Sequence, residues 1–427
     1  MRQTKRIHIS HIPNTFNYGS AMMAIVLIHR LEGLLEGKVE FYTDANTPED
    51  LDRLRASTGL SNIHVLPPFK GGFTRPPKWE TMPRWRKYFY APAMLRGWKK
   101  KQDHLIKNSD VEILLGGDDL SEYYGKRSTA FELGRLRYIS RRIPLFLPGQ
   151  TIGPFTSYRK KWASFCLNRT KIFTRDDPAW DYCVNELGLK NVASSRDLAF
   201  LDLPFQNDEN ERRRIMSKYG LVPGGYVTVV GSGLTAHYTS HREDFINNFS
   251  EILNIAAGNE EEGKIVFLAH VLRPEHGEDR PVMKDVIVAL KARNLENVLR
   301  RLVVIKDELL PYEARLILGN GRWTVTGRMH AAISTFQMGK PAISLSYSEK
   351  YDGVLAKGMD LPELVVGAQG SKKWEGLKIS REVGERIGLV ESKYDEITER
   401  VEKGSARCRD LAFEQIEKIA SAISRVK

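Results

Sequence analysis

Cysteine is scarce in this chain of 427 residues: only Cys166, Cys183 and Cys408 occur, far apart and odd in number. That argues against a disulfide framework or a cysteine zinc site and points to a reducing compartment. No run of about 18 apolar residues is present, so no segment is suited to span a bilayer as a helix. The opening Met-Arg-Gln-Thr-Lys-Arg-Ile-His-Ile-Ser is basic, and its apolar run is too short and interrupted for a secretory signal. The chain therefore reads as cytoplasmic. No Gly-Lys-Ser/Thr follows a glycine-rich turn, which removes a P-loop, and Gly231-Ser232-Gly233 lacks the third glycine and acidic partner of a dinucleotide fingerprint. Low-complexity tracts and repeats between the halves are also missing.

Acidic residues are outnumbered. Lys+Arg total 65 against 53 Asp+Glu, a net charge of +12. Such a surplus favours anionic partners: phosphorylated substrates, anionic lipid headgroups or nucleic acid. No nucleic-acid motif accompanies it, so nucleic acid is not expected as a partner. Hydrophobic residues at 41% and charged residues at 28% are those of an ordinary globular protein, and the length allows two or three domains.

Short apolar runs alternate with amphipathic stretches, the pattern of an α/β protein with mostly parallel sheets. Strands are expected at 6–12, 39–43, 62–66, 111–115, 144–147, 171–174 and 198–201, with a helix at 20–36 stopped by Gly37. The Pro-, Asn- and charge-rich stretch 203–214 reads as a linker, or as the solvated start of a helix. Strands at 226–230, 264–269, 302–305, 323–326 and 342–345 follow, with helices at 243–256, 282–292, 312–318 and 330–338. These halves suggest two Rossmann-like domains facing a cleft, 1–207 and 208–390, and a helical tail, 391–427, able to cross back to the first half. Segments 70–82 and 365–382 carry no element in this reading and suit loops over the cleft.

Ligands of open parallel sheets bind beyond the carboxyl ends of the strands. After 323–326 come Gly327-Arg328-Met329-His330 and a helix. Helix N-termini bind anions; Arg328 adds a permanent charge, His330 a titratable proton, and Gly327 permits close backbone approach. After 171–174 comes Arg175-Asp176-Asp177-Pro178, with Asp177 as the expected N-cap and Pro178 as the first helical residue. After 111–115, Gly116-Gly117-Asp118-Asp119 offers a tight turn and a carboxylate able to act as base or accept from a sugar hydroxyl. Ser232 follows 226–230, with His237 and His241 beyond it. These histidines make a poor metal pair, because Tyr238-Thr239-Ser240 is a poor helix. After 264–269 a polar loop holds His270, Arg273, Glu275 and His276. Each feature has a plainer reading: structural ion pairs for Arg328 and Arg175, a satisfied core role for His330, and a surface loop after His270. Finally, Arg84-Trp85-Arg86-Lys87-Tyr88-Phe89-Tyr90, followed by Leu95, Trp98 and Lys99-Lys100-Lys101, mixes cations with aromatics, as a membrane-interface segment or an ordinary half-buried helix does.

Taken in order, several segments resemble the polysaccharide pyruvyl transferase family. They are Asn17-Tyr18-Gly19-Ser20, Gly116-Gly117-Asp118, Pro148-Gly149-Gln150-Thr151-Ile152-Gly153-Pro154, Thr174-Arg175-Asp176, Glu186-Leu187-Gly188 and Asp197-Leu198-Ala199-Phe200. In the second half come Thr326-Gly327-Arg328-Met329-His330-Ala331, Gly339-Lys340-Pro341-Ala342-Ile343 and Tyr347-Ser348-Glu349-Lys350-Tyr351-Asp352-Gly353. The resemblance implies a glycosyltransferase-B-like architecture. It also implies transfer of the enolpyruvyl group of phosphoenolpyruvate to a sugar of a cell-surface glycan or its lipid-linked precursor, forming a pyruvate ketal and releasing phosphate. It places Arg328 on the donor's carboxylate or phosphate, His330 as donor-side acid/base and Arg175 as a second anion clamp; Gly327, Ser232 and His270, from their places after the strands, are expected on the donor side as well. Asn17, Asp118 and Asp119 fall on the acceptor side, where Asp118 or Asp119 is the expected base. No metal or resident cofactor is expected; phosphoenolpyruvate is a co-substrate, and the basic aromatic segment suits contact with the anionic inner face of the membrane. Ser20 stands where the family pattern has Asp, a departure that bears on the acceptor. The competing readings are a nucleotide-sugar glycosyltransferase on the same fold, using Glu308, Glu313 or Glu349 for the ribose, and a non-catalytic anion or nucleic-acid binder using the +12 charge.

Overall fold

The structure is a computed structural model that describes residues 4–12, 14–70, 76, 81–258, 263–274 and 277–426. The first half forms a seven-stranded sheet from β1 (Lys5–Ser10), β2 (Val39–Thr43), β3 (Ile63–Val65), β4 (Val111–Leu114), β5 (Leu145–Gln150), β6 (Lys171–Thr174) and β7 (Val192–Ser194), in the order β3-β2-β1-β4-β5-β6-β7. The second half forms a six-stranded sheet from β8 (Tyr226–Val230), β9 (Lys264–Leu268), β10 (Leu302–Ile305), β11 (Thr324–Thr326), β12 (Ala342–Ser346) and β13 (Val365–Gly367), in the order β10-β9-β8-β11-β12-β13. Neighbouring strands pair in parallel. Helices cover both faces, which explains why central strands such as Val-Glu-Ile-Leu of β4 and Ala-Ile-Ser-Leu-Ser of β12 are buried at every residue.

Each sheet reverses its strand order at one place. In the first sheet this is between β1 and β4; in the second it is between β8 and β11. Doubly wound sheets bind ligands in the crevice beyond the strand ends at such a reversal. The loops at these two positions are His11–Phe16 with Gly116–Asp119, and Gly231–Gly233 with Gly327–Arg328.

The halves are knitted together there. Tyr18 N–H donates to the His270 carbonyl at 3.3 Å and Leu272 N–H to the Phe16 carbonyl at 3.1 Å, around an antiparallel bridge between Asn17 and Val271. The helix Tyr18–Leu34 is buried along most of its length, with Met22 accepting weak bonds from Ser334 and Arg315 of the second half. A helix apolar all round must be covered on all sides. The tail is one 31-residue helix, Tyr394–Ser424, that returns to the first half. Its buried Gln415 accepts from Gly149 N–H at 3.1 Å and donates to the Arg196 carbonyl at 2.8 Å.

Several local expectations change. Residues 198–201 are not a strand: Leu198–Phe200 is a 3₁₀ turn, capped by Asp197, which accepts from Ala199 N–H at 3.0 Å. The stretch 203–214 contains the start of the helix Glu209–Lys218, capped by Asp208, so its charges are the solvated first turns of that helix. Residues 365–382 are ordered as β13, two 3₁₀ turns and the start of the helix Lys378–Ser392, anchored by the fully buried Trp374. Asp176, not Asp177, caps the helix after β6 by accepting from Ala179 N–H at 2.8 Å; Asp177 instead pairs with Arg196 at 3.0 Å. Ser20, expected at the start of its helix, is the third residue of Tyr18–Leu34, and Asn17 takes the N-cap position.

Candidate functional site at the facing strand ends

Beyond β11, Thr326 Oγ1 accepts the Arg328 N–H at 2.8 Å, and this turn sets Arg328 at the N-cap of the helix Met329–Gln337. The guanidinium donates from Nε and Nη2 to Asp279 Oδ1 at 3.1 and 2.6 Å, and from Nη2 to the Gly277 carbonyl. Asp279 is fully buried and ties the site together. Its Oδ2 accepts from His270 and Val271 N–H at 2.9 and 2.8 Å, and its Oδ1 accepts from Gly233 N–H at 2.9 Å. One carboxylate thus fixes the loops after β8, β9 and β11. Burial lowers the Arg328 pKa, but Asp279 outweighs it and the net shift is upward.

His330 enters the site one residue into the helix. Its Nε2 lies 3.5 Å from Asp197 Oδ2, an ion-pair distance without hydrogen-bond geometry, and this buried nitrogen has no hydrogen-bond partner among the described residues. The ring packs against Gly19: a Cβ there would lie 2.3 Å from His330 Nδ1, so the first half's helix can approach only because that residue is glycine. Asp197 also accepts from Arg175 Nη1 at 3.0 Å. Burial pushes the Asp197 carboxyl up, but His330, Arg175 and Ala199 N–H outweigh it and hold it well below the usual carboxylate range. Arg175, only 1% exposed, further donates from Nε to Thr151 Oγ1 at 2.9 Å.

Lys350 reaches across the seam. Its Nζ lies 3.0 Å from Asp118 Oδ2 in the loop after β4 and 3.0 Å from Tyr347 Oη. Burial lowers the ammonium pKa, yet Asp118 and Tyr347 raise it more, so it stays charged. Tyr238 and Tyr351 donate to the Gly327 carbonyl at 2.5 and 3.2 Å and fix the turn before Arg328. His270 is buried edge-on to Tyr18, and its Nε2 has no hydrogen-bond partner among the described residues. Burial, then the charges of His330, Arg328 and Arg315, push its pKa well below that of free histidine, so it is neutral. Ser232 is buried beside Gly327, its Oγ accepting from Leu234 N–H at 3.3 Å.

The structure therefore gathers Gly327, Arg328, His330, Ser232 and His270 at the second sheet's switch point. Arg175 and Asp118 join through Asp197 and Lys350, and Asn17 through its bridge to Val271. Asp119 is not among the contacts of this cluster; it lies 3.1 Å from His11. Arg175 is internally paired, as its plainer reading had it, and Glu313 is engaged by Leu310 N–H and Arg214. His237 lies in the short helix Thr235–Tyr238 while His241 caps the next one, so they share no helical face. Arg273 pairs with Asp50 at 2.8 Å; Glu275 and His276 lie outside the described residues, as do 71–75 and 77–80. No group of three or more His, Cys, Asp or Glu able to hold a metal occurs among the described residues. Asp279 went unread in the sequence, since nothing local marks it. Asp197 and Lys350 lay in segments already singled out, Asp197 just before Leu198-Ala199-Phe200 and Lys350 within Tyr347–Gly353.

A family model described as polysaccharide pyruvyl transferase matches residues 17–349. The amylovoran biosynthesis protein AmsJ of Erwinia amylovora is 23% identical over 316 residues, 72% of this chain and 71% of its own. Among solved structures, a UDP-N-acetylglucosamine 2-epimerase superposes with a TM-score of 0.60 at 12% identity, covering 100% of this chain and 98% of its own. A glycosyltransferase from Rickettsia africae gives 0.59 at 8% identity, covering 100% of both chains. The S. aureus MnaA–UDP structure gives 0.59 at 12% identity, covering 99% of this chain and 98% of its own. These similarities establish a glycosyltransferase-B-like fold.

Proposed function

The chain belongs to the polysaccharide pyruvyl transferase family, and from that premise we propose that it moves the enolpyruvyl group of phosphoenolpyruvate onto a sugar of a cell-surface polysaccharide or its lipid-linked precursor. The observation that carries this reading is the placing of Arg328 beside two buried imidazole nitrogens that make no hydrogen bond among the described residues, His330 Nε2 (3.5 Å from Asp197) and His270 Nε2, at the second sheet's switch point. A buried polar atom without a hydrogen bond calls for an explanation, and beyond the strand ends a ligand supplies one.

Phosphoenolpyruvate is small and carries a carboxylate and a phosphate. Arg328 keeps Nη1 clear of Asp279 and can donate to either anion with charge assistance. The Met329–Gln337 helix start adds its dipole. His330 delivers a proton to the methylene carbon as an acceptor hydroxyl oxygen bonds to the central carbon. The phosphate then leaves with its bonding electron pair. A second hydroxyl adds to the resulting oxocarbenium, and its proton departs with the phosphate. Arg328 and Lys350 offset the charge that develops on that leaving group. Arg175, with Nε and Nη1 engaged, contributes by holding Asp197 beside His330.

Acceptor delivery fits the basic aromatic segment. Trp85, Tyr88, Phe89 and Leu95 are 59, 76, 76 and 62% exposed. Residues 84–102 carry seven Lys/Arg and no Asp/Glu. The helix Ala91–Asn108 precedes β4, so its N-terminal end lies at the carboxyl edge of the first sheet, where an acceptor must arrive. Anionic lipid attracts such a surface with roughly 1 kcal/mol per cation. The expected result is sedimentation with phosphatidylglycerol-containing vesicles, weakened by salt and by Trp85→Ser with Phe89→Ser, and none with phosphatidylcholine alone. Equal binding to both would contradict it. No helix of the described residues is long and apolar enough to cross a membrane.

The reaction itself is tested with carboxyl-labelled phosphoenolpyruvate and membranes from a strain deleted for this gene, which retain the unmodified acceptor. The label is expected in glycan and is released as pyruvate by mild acid, one phosphate per label. Phosphate release without incorporation would contradict ketal transfer.

A further inference from the structure

At the first sheet's switch point, His11 follows β1 directly and has a left-handed backbone, φ 72°. Such a conformation is strained for a non-glycine residue and persists only where the surroundings enforce it. Here Asp44 enforces it, accepting from His11 and Ile12 N–H at 2.8 Å each. The strained turn aims the imidazole at the loop after β4, with Nδ1 3.1 Å from Asp119 Oδ2. The neighbouring His8 is sequestered, 4% exposed and 2.6 Å from Glu112, whereas the His11 side chain keeps 28% exposure. Its Nε2 is 4.0 Å from Glu132, beyond hydrogen-bond reach, and has no hydrogen bond among the described residues. Asp118, the adjacent carboxylate, is engaged by the Lys350 ammonium and is thereby a weakened base.

A carboxylate behind one imidazole nitrogen, with the other nitrogen free of hydrogen bonds on a partly exposed ring at the first sheet's switch point, is an arrangement that can activate a hydroxyl. Resting on the pyruvyl-transfer reading, we propose that His11 is the general base for the acceptor hydroxyl and Asp119 its positioning residue. As the hydroxyl oxygen bonds to the donor's central carbon, its proton passes to His11 Nε2, and the imidazolium then loses that proton to water. His330 supplies the separate proton to the methylene carbon. The two sheets thus each contribute one imidazole, base from the first and acid from the second.

The groups facing His11 are Asp119, Glu132, Arg135 and, through its backbone, Asp44. Burial lowers the His11 pKa and Arg135 opposes charge, but Asp119 and Glu132 prevail and the net shift is upward. The base is protonated below that raised value and active above it, so transfer should rise with pH through it.

The test measures label transfer from phosphoenolpyruvate to membranes of the deletion strain across pH, beside thermal stabilisation by phosphoenolpyruvate alone. His11→Asn is expected to lower transfer by about 10²–10⁴ and to remove the acid limb while leaving the phosphoenolpyruvate stabilisation intact. Asp119→Asn, at a 52% exposed side chain that the fold tolerates, should move the acid limb to lower pH, because the carboxylate that raised the imidazole is gone. Transfer by His11→Asn within about threefold of the natural protein, or an unmoved acid limb in Asp119→Asn, overturns the assignment. Absence of transfer by the natural protein overturns the pyruvyl-transfer reading, and the assignment falls with it.

Discussion

His330→Gln is expected to lower pyruvyl transfer by about 10²–10⁴, the contribution of one positioned general acid. Glutamine retains a donor of similar reach but has no proton to give near neutral pH. The fold should survive. His330 Nε2 makes no hydrogen bond that would be orphaned, and Asp197 keeps Arg175 and Ala199 N–H. Binding of phosphoenolpyruvate should change little, since Arg328 carries it. A companion change separates proton delivery from mere presence of the ring: Gly19→Ala places a Cβ 2.3 Å from Nδ1 and must displace the imidazole. Turnover should fall with it although His330 remains. Transfer rates with saturating donor check both, and a His330→Gln protein within about tenfold of the natural rate would remove His330 from the proton step.

The largest effect on stability is expected at Asp197. Its carboxylate is fully buried and is the counter-charge of Arg175, itself 1% exposed. Asp197→Ala leaves a guanidinium in the interior with Thr151 as its remaining side-chain hydrogen-bond partner among the described residues, and breaking a buried pair in this way costs about 3–5 kcal/mol. Asp197→Asn keeps the shape and the acceptor for Ala199 N–H while removing the charge, so its loss should be smaller. The sign with pH follows from the depressed carboxyl. The contribution is present above the ordinary aspartate value and disappears as pH falls through the folded-state value. Urea unfolding at pH 7 measures it, and a loss below about 1 kcal/mol, the range of exposed pairs, would mean Arg175 finds another counter-charge.

Much of this was legible in the sequence because parallel sheets buried on both faces write themselves as continuous apolar runs. The runs 39–43, 171–174, 226–230 and 302–305 coincide with strands to the residue. The edge strands β7, Val-Ala-Ser, and β13, Val-Val-Gly, were not legible, since their apolar runs are only two residues long, and Leu198-Ala-Phe reads as a strand because a buried 3₁₀ turn is just as apolar. Arg328 and His330 stood out because their chemistry and their helix start are adjacent in sequence. Asp279 did not: it acts from a loop 49 residues before Arg328, a relation that only folding creates. His11 was hidden for a different reason. A lone histidine inside the expected strand 6–12 carries no signal until the strand ends at Ser10 and Asp44 and Asp119, far along the chain, are placed around it.

The central claim is that the second sheet's switch point binds phosphoenolpyruvate through Arg328. Thermal unfolding with and without phosphoenolpyruvate, beside a panel of nucleotide sugars and an Arg328→Ala protein, tests it most directly. A ligand at about one hundred times its Kd stabilises by about 2.7 kcal/mol. Stabilisation by phosphoenolpyruvate, absent with nucleotide sugars and lost in Arg328→Ala, is the predicted result. Stabilisation by a nucleotide sugar instead, or a phosphoenolpyruvate effect that survives Arg328→Ala, would contradict it.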